Sequence, residues 1–197
     1  MSNIKVFEND LPKDLDLSNE KFIGLDNEAL GLVLGRDPLT LVQLGLESKN
    51  FYLIKLNRET YHAPNLIKAL SNDSTQYIMH YARQDLLWLK YHLNVKPKNI
   101  FCTKVASKIA RTASSYHGYK DLVKELCGKD ISKKEQQSDW GDPNLSEKQI
   151  KYAASDTEHL FEIRNKLIKM LEREKRIDLF KKSMEVIPVL VDMEIAG

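Results

Sequence analysis

Between residues 21 and 56, three short apolar runs follow one another with links too short for anything but antiparallel pairing. They are Lys21-Phe-Ile-Gly-Leu-Asp26, residues 39–46 and residues 51–56, with turn signals at Arg36-Asp37-Pro38 and Ser48-Lys49-Asn50. Parallel neighbours would need a crossover of roughly a dozen residues or more. A short helix with Pro at its first turn is predicted over residues 64–70, and a fourth strand over residues 76–80. After Tyr81 the apolar spacing becomes helical. Residues 82–92 bring Leu86, Leu87, Leu89 and Leu93 into one pattern, and residues 103–113 do the same with Val105, Ala106, Ile109 and Ala113. A helix over residues 120–126 stops at Gly128. The longest helix is predicted over residues 146–173, opened by the capping-box pattern Ser146-Glu-Lys-Gln149. Paired strands first and helices afterwards imply an α/β fold, one mixed β-sheet flanked by α-helices.

With 197 residues, 42% hydrophobic and 29% charged, the chain suits a single domain over 1–197 with a real core. No apolar run approaches the ~18 residues of a membrane span, and residues 1–16 lack the layout of a signal peptide, so the expected location is cytoplasmic. Cys102 and Cys127 make neither a disulfide framework nor a zinc site. Net charge is only +2, but residues 160–182 carry eight basic side chains against four acidic ones. Either a nucleic acid or a solvated helix face accounts for that excess. The apolar run at residues 186–191 could dock on the domain or join two subunits.

The candidate chemistry is carboxylate chemistry. Asp26 and Glu28 end the first apolar strand at i and i+2, which places both on one face of a sheet. Two such acids repel, and the pair becomes favourable when a divalent cation lies between them. Tyr152 and Asp156 are one turn apart on the late helix, and Asp156 borders its apolar register. Asp85 opens the Leu-rich helix after His80, where an acid also suits the helix dipole.

The order Asp-x-Glu, then Asp, then Tyr-x-x-x-Asp resembles the four-acid (DEDD) exonuclease superfamily in its tyrosine subtype. The histidine subtype carries its base five residues before the last acid, where this chain has Lys151. The resemblance covers nearly the whole chain. His80-Tyr-Ala-Arg-Gln-Asp-Leu86 is similar to the second exonuclease motif of ribonuclease D, and Cys102-Thr-Lys-Val-Ala-Ser107 to the helix that follows it. Lys134-Glu-Gln-Gln-Ser-Asp-Trp140 and Pro143-Asn-Leu-Ser-Glu-Lys-Gln-Ile-Lys-Tyr-Ala-Ala-Ser-Asp156 resemble the family's most distinctive segment. It looks closest to short stand-alone ribonuclease D-like proteins of alphaproteobacteria that lack the helical HRDC domains. One departure is Asn27, where the family usually has Thr.

The resemblance implies a ribonuclease H-like exonuclease fold and a 3′→5′ exoribonuclease releasing nucleoside 5′-monophosphates. It implies two divalent cations, Mg²⁺ or Mn²⁺, held by Asp26, Glu28, Asp85 and Asp156, with Tyr152 positioning the attacking water. All-oxygen ligation without Cys/His pairs favours those ions over zinc. The expected partner is the single-stranded 3′ end of RNA, with DNA as the alternative polymer and a non-catalytic nucleic-acid-binding module as the alternative class. Expected nucleic-acid contacts are the stripe Lys104, Lys108 and Arg111, a candidate phosphate track, and Lys134, Gln137 and Trp140 ahead of the late helix. Trp140 could stack on a base or pack in the core.

Overall fold

The computed structural model describes residues 3–132 and 134–197; the first two residues of the stretch read for a signal peptide lie outside these. Six strands form one sheet: β1 (Asn3–Glu8), β2 (Phe22–Ala29), β3 (Leu39–Gly45), β4 (Asn50–Lys55), β5 (Gln76–Met79) and β6 (Ile100–Cys102), in spatial order β1-β4-β3-β2-β5-β6. The three early runs pair antiparallel as their short links require, β2 with β3 and β3 with β4. β5 joins β2 in parallel, β6 joins β5, and β1 joins β4, so β3 alone of the six runs against the others. Two strands were not anticipated. β1 is a mostly exposed edge strand without alternation, and β6 is three residues long.

The helices are α1 (Pro64–Leu70), α2 (Ala82–Leu93), α3 (Thr103–Ala110), α4 (Tyr119–Leu122), α5 (Glu147–Glu158), α6 (Leu160–Arg173) and α7 (Ile177–Ala196). α4 widens into a π-turn over Val123–Cys127, which Gly128 ends with φ 67°. α3 stops three residues short of its predicted end, because Arg111 leaves the helix with φ −122°, ψ 53°. α5 begins as the capping box foretold: Ser146 Oγ accepts from Gln149 N at 3.3 Å, and Ser146 N donates to Gln149 Oε1 at 2.9 Å.

The single helix expected over residues 146–173 is two. A tertiary contact breaks it at His159. The Tyr119 hydroxyl donates to Ser155 O at 2.9 Å and accepts from His159 N at 3.3 Å, standing in for the bond those two groups would make in an unbroken helix.

Helices cover both faces of the sheet. On one face Ile23, Leu25, Val42, Leu44 and Ile54 join the Leu-rich side of α2 in the main core. On the other, Leu41 and Leu53 pack with Ala153 of α5 and Trp140. α5 approaches this second face closely because Gly24 and Gly45 are register partners on β2 and β3. A Cβ on Gly45 would lie 2.5 Å from Thr157 Oγ1, and one on Gly24 would lie 3.2 Å from Thr157 O. Thr157 thus seats on bare backbone, one residue after Asp156. The apolar run at 186–191 lies within α7 and docks through Ile187 and Val191, while Val186 and Val189 face outward. No helix among the described residues is long and apolar enough to cross a membrane.

A four-carboxylate cleft

The C-terminal end of β2 carries the first two acids. Asp26 and Glu28 share the face on which Gly24 meets α5, and the β2–β3 register shifts between Glu28 and Ala29 as the strand leaves the site. The parallel pairing of β5 with β2 then places the first turn of α2, and Asp85, beside Asp26. From above, α5 delivers Tyr152 and Asp156. Oxygens of Asp26, Glu28 and Asp156 come within 4.8 Å of one another. Together with Asp85 and Tyr152 they line an open cleft of about 350 Å³.

The electrostatics follow from crowding acids into a half-covered site. Burial pushes Asp26 up to about 7. Burial, then the charges of Asp26 and Asp156, push Glu28 up to about 10. Asp85 is pushed well above the usual carboxylate range by burial and by Asp26, to which it holds a side-chain hydrogen bond. Asp85 is 5% exposed, and its Oδ2 has no hydrogen-bond partner among the described residues. The Tyr152 phenol is also raised, by burial and then by Asp156, Glu28 and Asp26, so it remains a protonated donor at neutral pH. A hard cation fits this donor set. It satisfies the orphaned oxygen, removes the mutual repulsion and takes only oxygen ligands. Asp26, Glu28 and Asp156 thus form a group that a divalent metal would occupy.

Neighbouring groups brace the acids. Asn27, on the opposite face of β2, donates from Nδ2 to the Asp85 carbonyl at 3.1 Å, tying strand to helix. His80 Nδ1 lies 2.9 Å from Thr103 Oγ1. Gln149 ties the preceding loop to α5 through Asp139 O at 2.9 Å.

The expected nucleic-acid contacts divide. Lys104 lines the cleft, its ammonium 3.9 Å from the centre of the Tyr81 ring. Lys108 is exposed elsewhere on α3. Arg111 does not continue a track. Its guanidinium is turned inward onto Ser107 Oγ at 3.0 Å, Tyr116 O at 3.1 Å and the Glu125 carboxylate. Trp140 is not available to stack on a base. It is 4% exposed, wedged between sheet and α5 with its ring 6.0 Å from that of Tyr152. Lys134 and Gln137 are exposed on the loop ahead of α5, where Ser132 and Gln136 reach the cleft instead. None of the eight basic residues of 160–182 lines it. Tyr81, Gln84, Tyr119 and Lys120 do; Tyr81 and Gln84 lie within the motif at residues 80–86 but were not singled out, and no motif marked Tyr119 or Lys120.

Comparisons with known proteins agree with this geometry. A family model described as 3′-5′ exonuclease matches residues 6–172. A ribonuclease D of Gluconacetobacter diazotrophicus is 34% identical over 171 residues; the match covers 87% of this chain and 43% of that protein. The chain thus spans about two fifths of the length of that curated relative. Among solved structures, Brucella melitensis NrnC with bound Mg²⁺ is 34% identical with a TM-score of 0.93, over 99% of this chain and 94% of the other. The same NrnC bound to pGG is 35% identical with a TM-score of 0.94, over 100% of this chain and 95% of the other. A four-carboxylate cleft on this sheet, with the family match across residues 6–172, places the chain in the 3′-5′ exonuclease family.

Proposed function

We propose that residues 1–197 act as one catalytic unit, a 3′→5′ exoribonuclease that releases nucleoside 5′-monophosphates from single-stranded RNA. The observation that carries this reading is the convergence of Asp26, Glu28 and Asp156 within 4.8 Å, beside the buried and unpartnered Asp85 Oδ2. Asp26, Glu28 and Asp156 would hold one divalent cation, and Asp26 and Asp85 would serve a second. The Mg²⁺ in one Brucella structure supports Mg²⁺ or Mn²⁺ as the ions, and pGG in the other supports very short RNA among the substrates. A pair of such cations, when bound, makes a water acidic and neutralises charge on a phosphate under attack.

The protein's own groups supply position. The Tyr152 hydroxyl, whose pKa burial and the neighbouring carboxylates raise, donates a hydrogen bond that orients the attacking water. Trp140 packs behind Tyr152 and limits the ring's freedom. Asn27 fixes the backbone that carries Asp85. Lys104 and Lys120, both at the cleft, face the phosphates, with Lys108, Lys134 and Gln137 contributing further out. The absence of a membrane-spanning helix among the described residues is consistent with work in the cytoplasm.

The test is 5′-labelled single-stranded RNA and DNA incubated with Mg²⁺ or Mn²⁺, beside Asp26→Ala. RNA shortens stepwise from its 3′ end, and both EDTA and the substitution stop it. Equal full-length bands for wild type and variant would overturn the reading, and equal cleavage of DNA would move the substrate to nucleic acid in general.

A further inference from the structure

At the helix break beside Asp156 a hydroxyl from elsewhere in the fold enters the backbone ladder. In a continuous helix the His159 N–H would donate to the Ser155 carbonyl, four residues earlier. Here one phenol stands between them, donating to Ser155 O at 2.9 Å and accepting from His159 N at 3.3 Å. Both backbone groups stay paired, so the ladder opens without leaving an orphan. His159 closes α5 and opens α6 with φ −100°, ψ 0°.

The hydroxyl comes from a different element, α4, and its ring packs against His80 at 5.6 Å between centroids. It lines the same cleft as the four acids. Ser155 and Asp156 share a peptide bond, so whatever fixes the Ser155 carbonyl also fixes the direction in which Asp156 leaves the helix.

We propose that Tyr119 is the positioning residue for Asp156: its hydroxyl keeps α5 and α6 separate and so aims the Asp156 carboxylate at Asp26 and Glu28. This deepens the exonuclease reading and rests on it for the role of Asp156. Phenylalanine at 119 keeps the ring and its packing but lets His159 N close on Ser155 O. The two helices then merge into one and Asp156 turns out of the cluster.

Mn²⁺ binding by titration calorimetry tests this without turnover, on wild type, Tyr119→Phe, Asp156→Asn and the double variant, with Tm measured first for each. Tyr119→Phe weakens Mn²⁺ binding about tenfold, and the double variant binds no worse than Asp156→Asn alone, since contacts acting through one another are not additive. In cleavage assays the Mn²⁺ needed for half-maximal rate rises by a similar factor while KM for RNA changes less than about twofold. Wild-type Mn²⁺ affinity in Tyr119→Phe, or a further loss on adding it to Asp156→Asn, would overturn the proposal. A second measurement needs no variant: Mn²⁺ slows hydrogen exchange at the His159 amide, and an unchanged rate counts equally against it. If wild type binds Mn²⁺ but leaves RNA intact, the exonuclease reading fails while the calorimetric comparison still decides the role of Tyr119.

Discussion

Asp85 and Gln43 put carboxyl and amide groups where water is scarce, and their substitutions separate stability from chemistry. Burial and the neighbouring Asp26 favour the neutral form of Asp85 in the metal-free protein, so Asp85→Asn, a near-isostere of that form, shifts metal-free unfolding free energy by less than about 1 kcal/mol. The same variant loses cleavage by a hundredfold or so, the scale of removing one electrostatic stabiliser. Denaturant unfolding with EDTA and initial rates with Mn²⁺ check the two halves. Gln43 is fully buried across the strand pair from Asp26, with neither amide atom partnered among the described residues. Gln43→Leu removes an unsatisfied group and raises unfolding free energy by about 1 kcal/mol; a fall in the urea midpoint would show a partner in solution. At this scale the sequence was readable where residue type and element agree. A carboxylate pair at i and i+2 on an apolar strand must share a face. It was unreadable where a group beyond the helix's own turn decides: nothing beside Arg111 announces Glu125 as its partner, and nothing near residue 119 announces a helix forty positions on.

Elements transmit these positions, and the contact of α5 with the sheet is the one most open to test. Gly45→Ala sets a methyl group 2.5 Å from Thr157 Oγ1, and the buried threonine must move. Overpacking of this kind costs about 1–3 kcal/mol; thermal unfolding checks the loss, and an unchanged Tm would mean that Thr157 rotates away freely. The antiparallel meander of β2, β3 and β4 and the capped start of α5 were legible because turn residues, alternation and the capping box are local signals. β1 and β6 were not, since an exposed edge strand lacks alternation and three residues are too few to show a period. The break at His159 escaped for a related reason. Local propensity continues through it, and the opposing group arrives from α4.

For the whole molecule, the acid cluster couples folding to pH and to cations. Carboxyl groups with raised pKa bind protons more tightly folded than unfolded, so stability falls as pH rises from the ordinary range near ~4 through the folded values. Those values are about 7 for Asp26 and about 10 for Glu28. EDTA-treated protein therefore loses Tm between pH 5 and pH 8 on the order of the carboxylate linkage. Mn²⁺ restores it, with a larger gain at pH 8 than at pH 6, because the cation binds the ionised cluster. Differential scanning fluorimetry across that range decides it, and a gain independent of pH would separate cation binding from these carboxylates. The facing glycines on β2 and β3 carry a further consequence, for ion selectivity. Because Thr157 rests on them, one residue after Asp156, these glycines set the spacing that a cation held between helix and sheet would meet. Mg²⁺ needs oxygens at about 2.0–2.1 Å and tolerates little deviation, whereas Ca²⁺ accepts about 2.3–2.6 Å in looser geometry. One methyl group on either strand should shift which of the two the cleft prefers, with every ligand left unchanged.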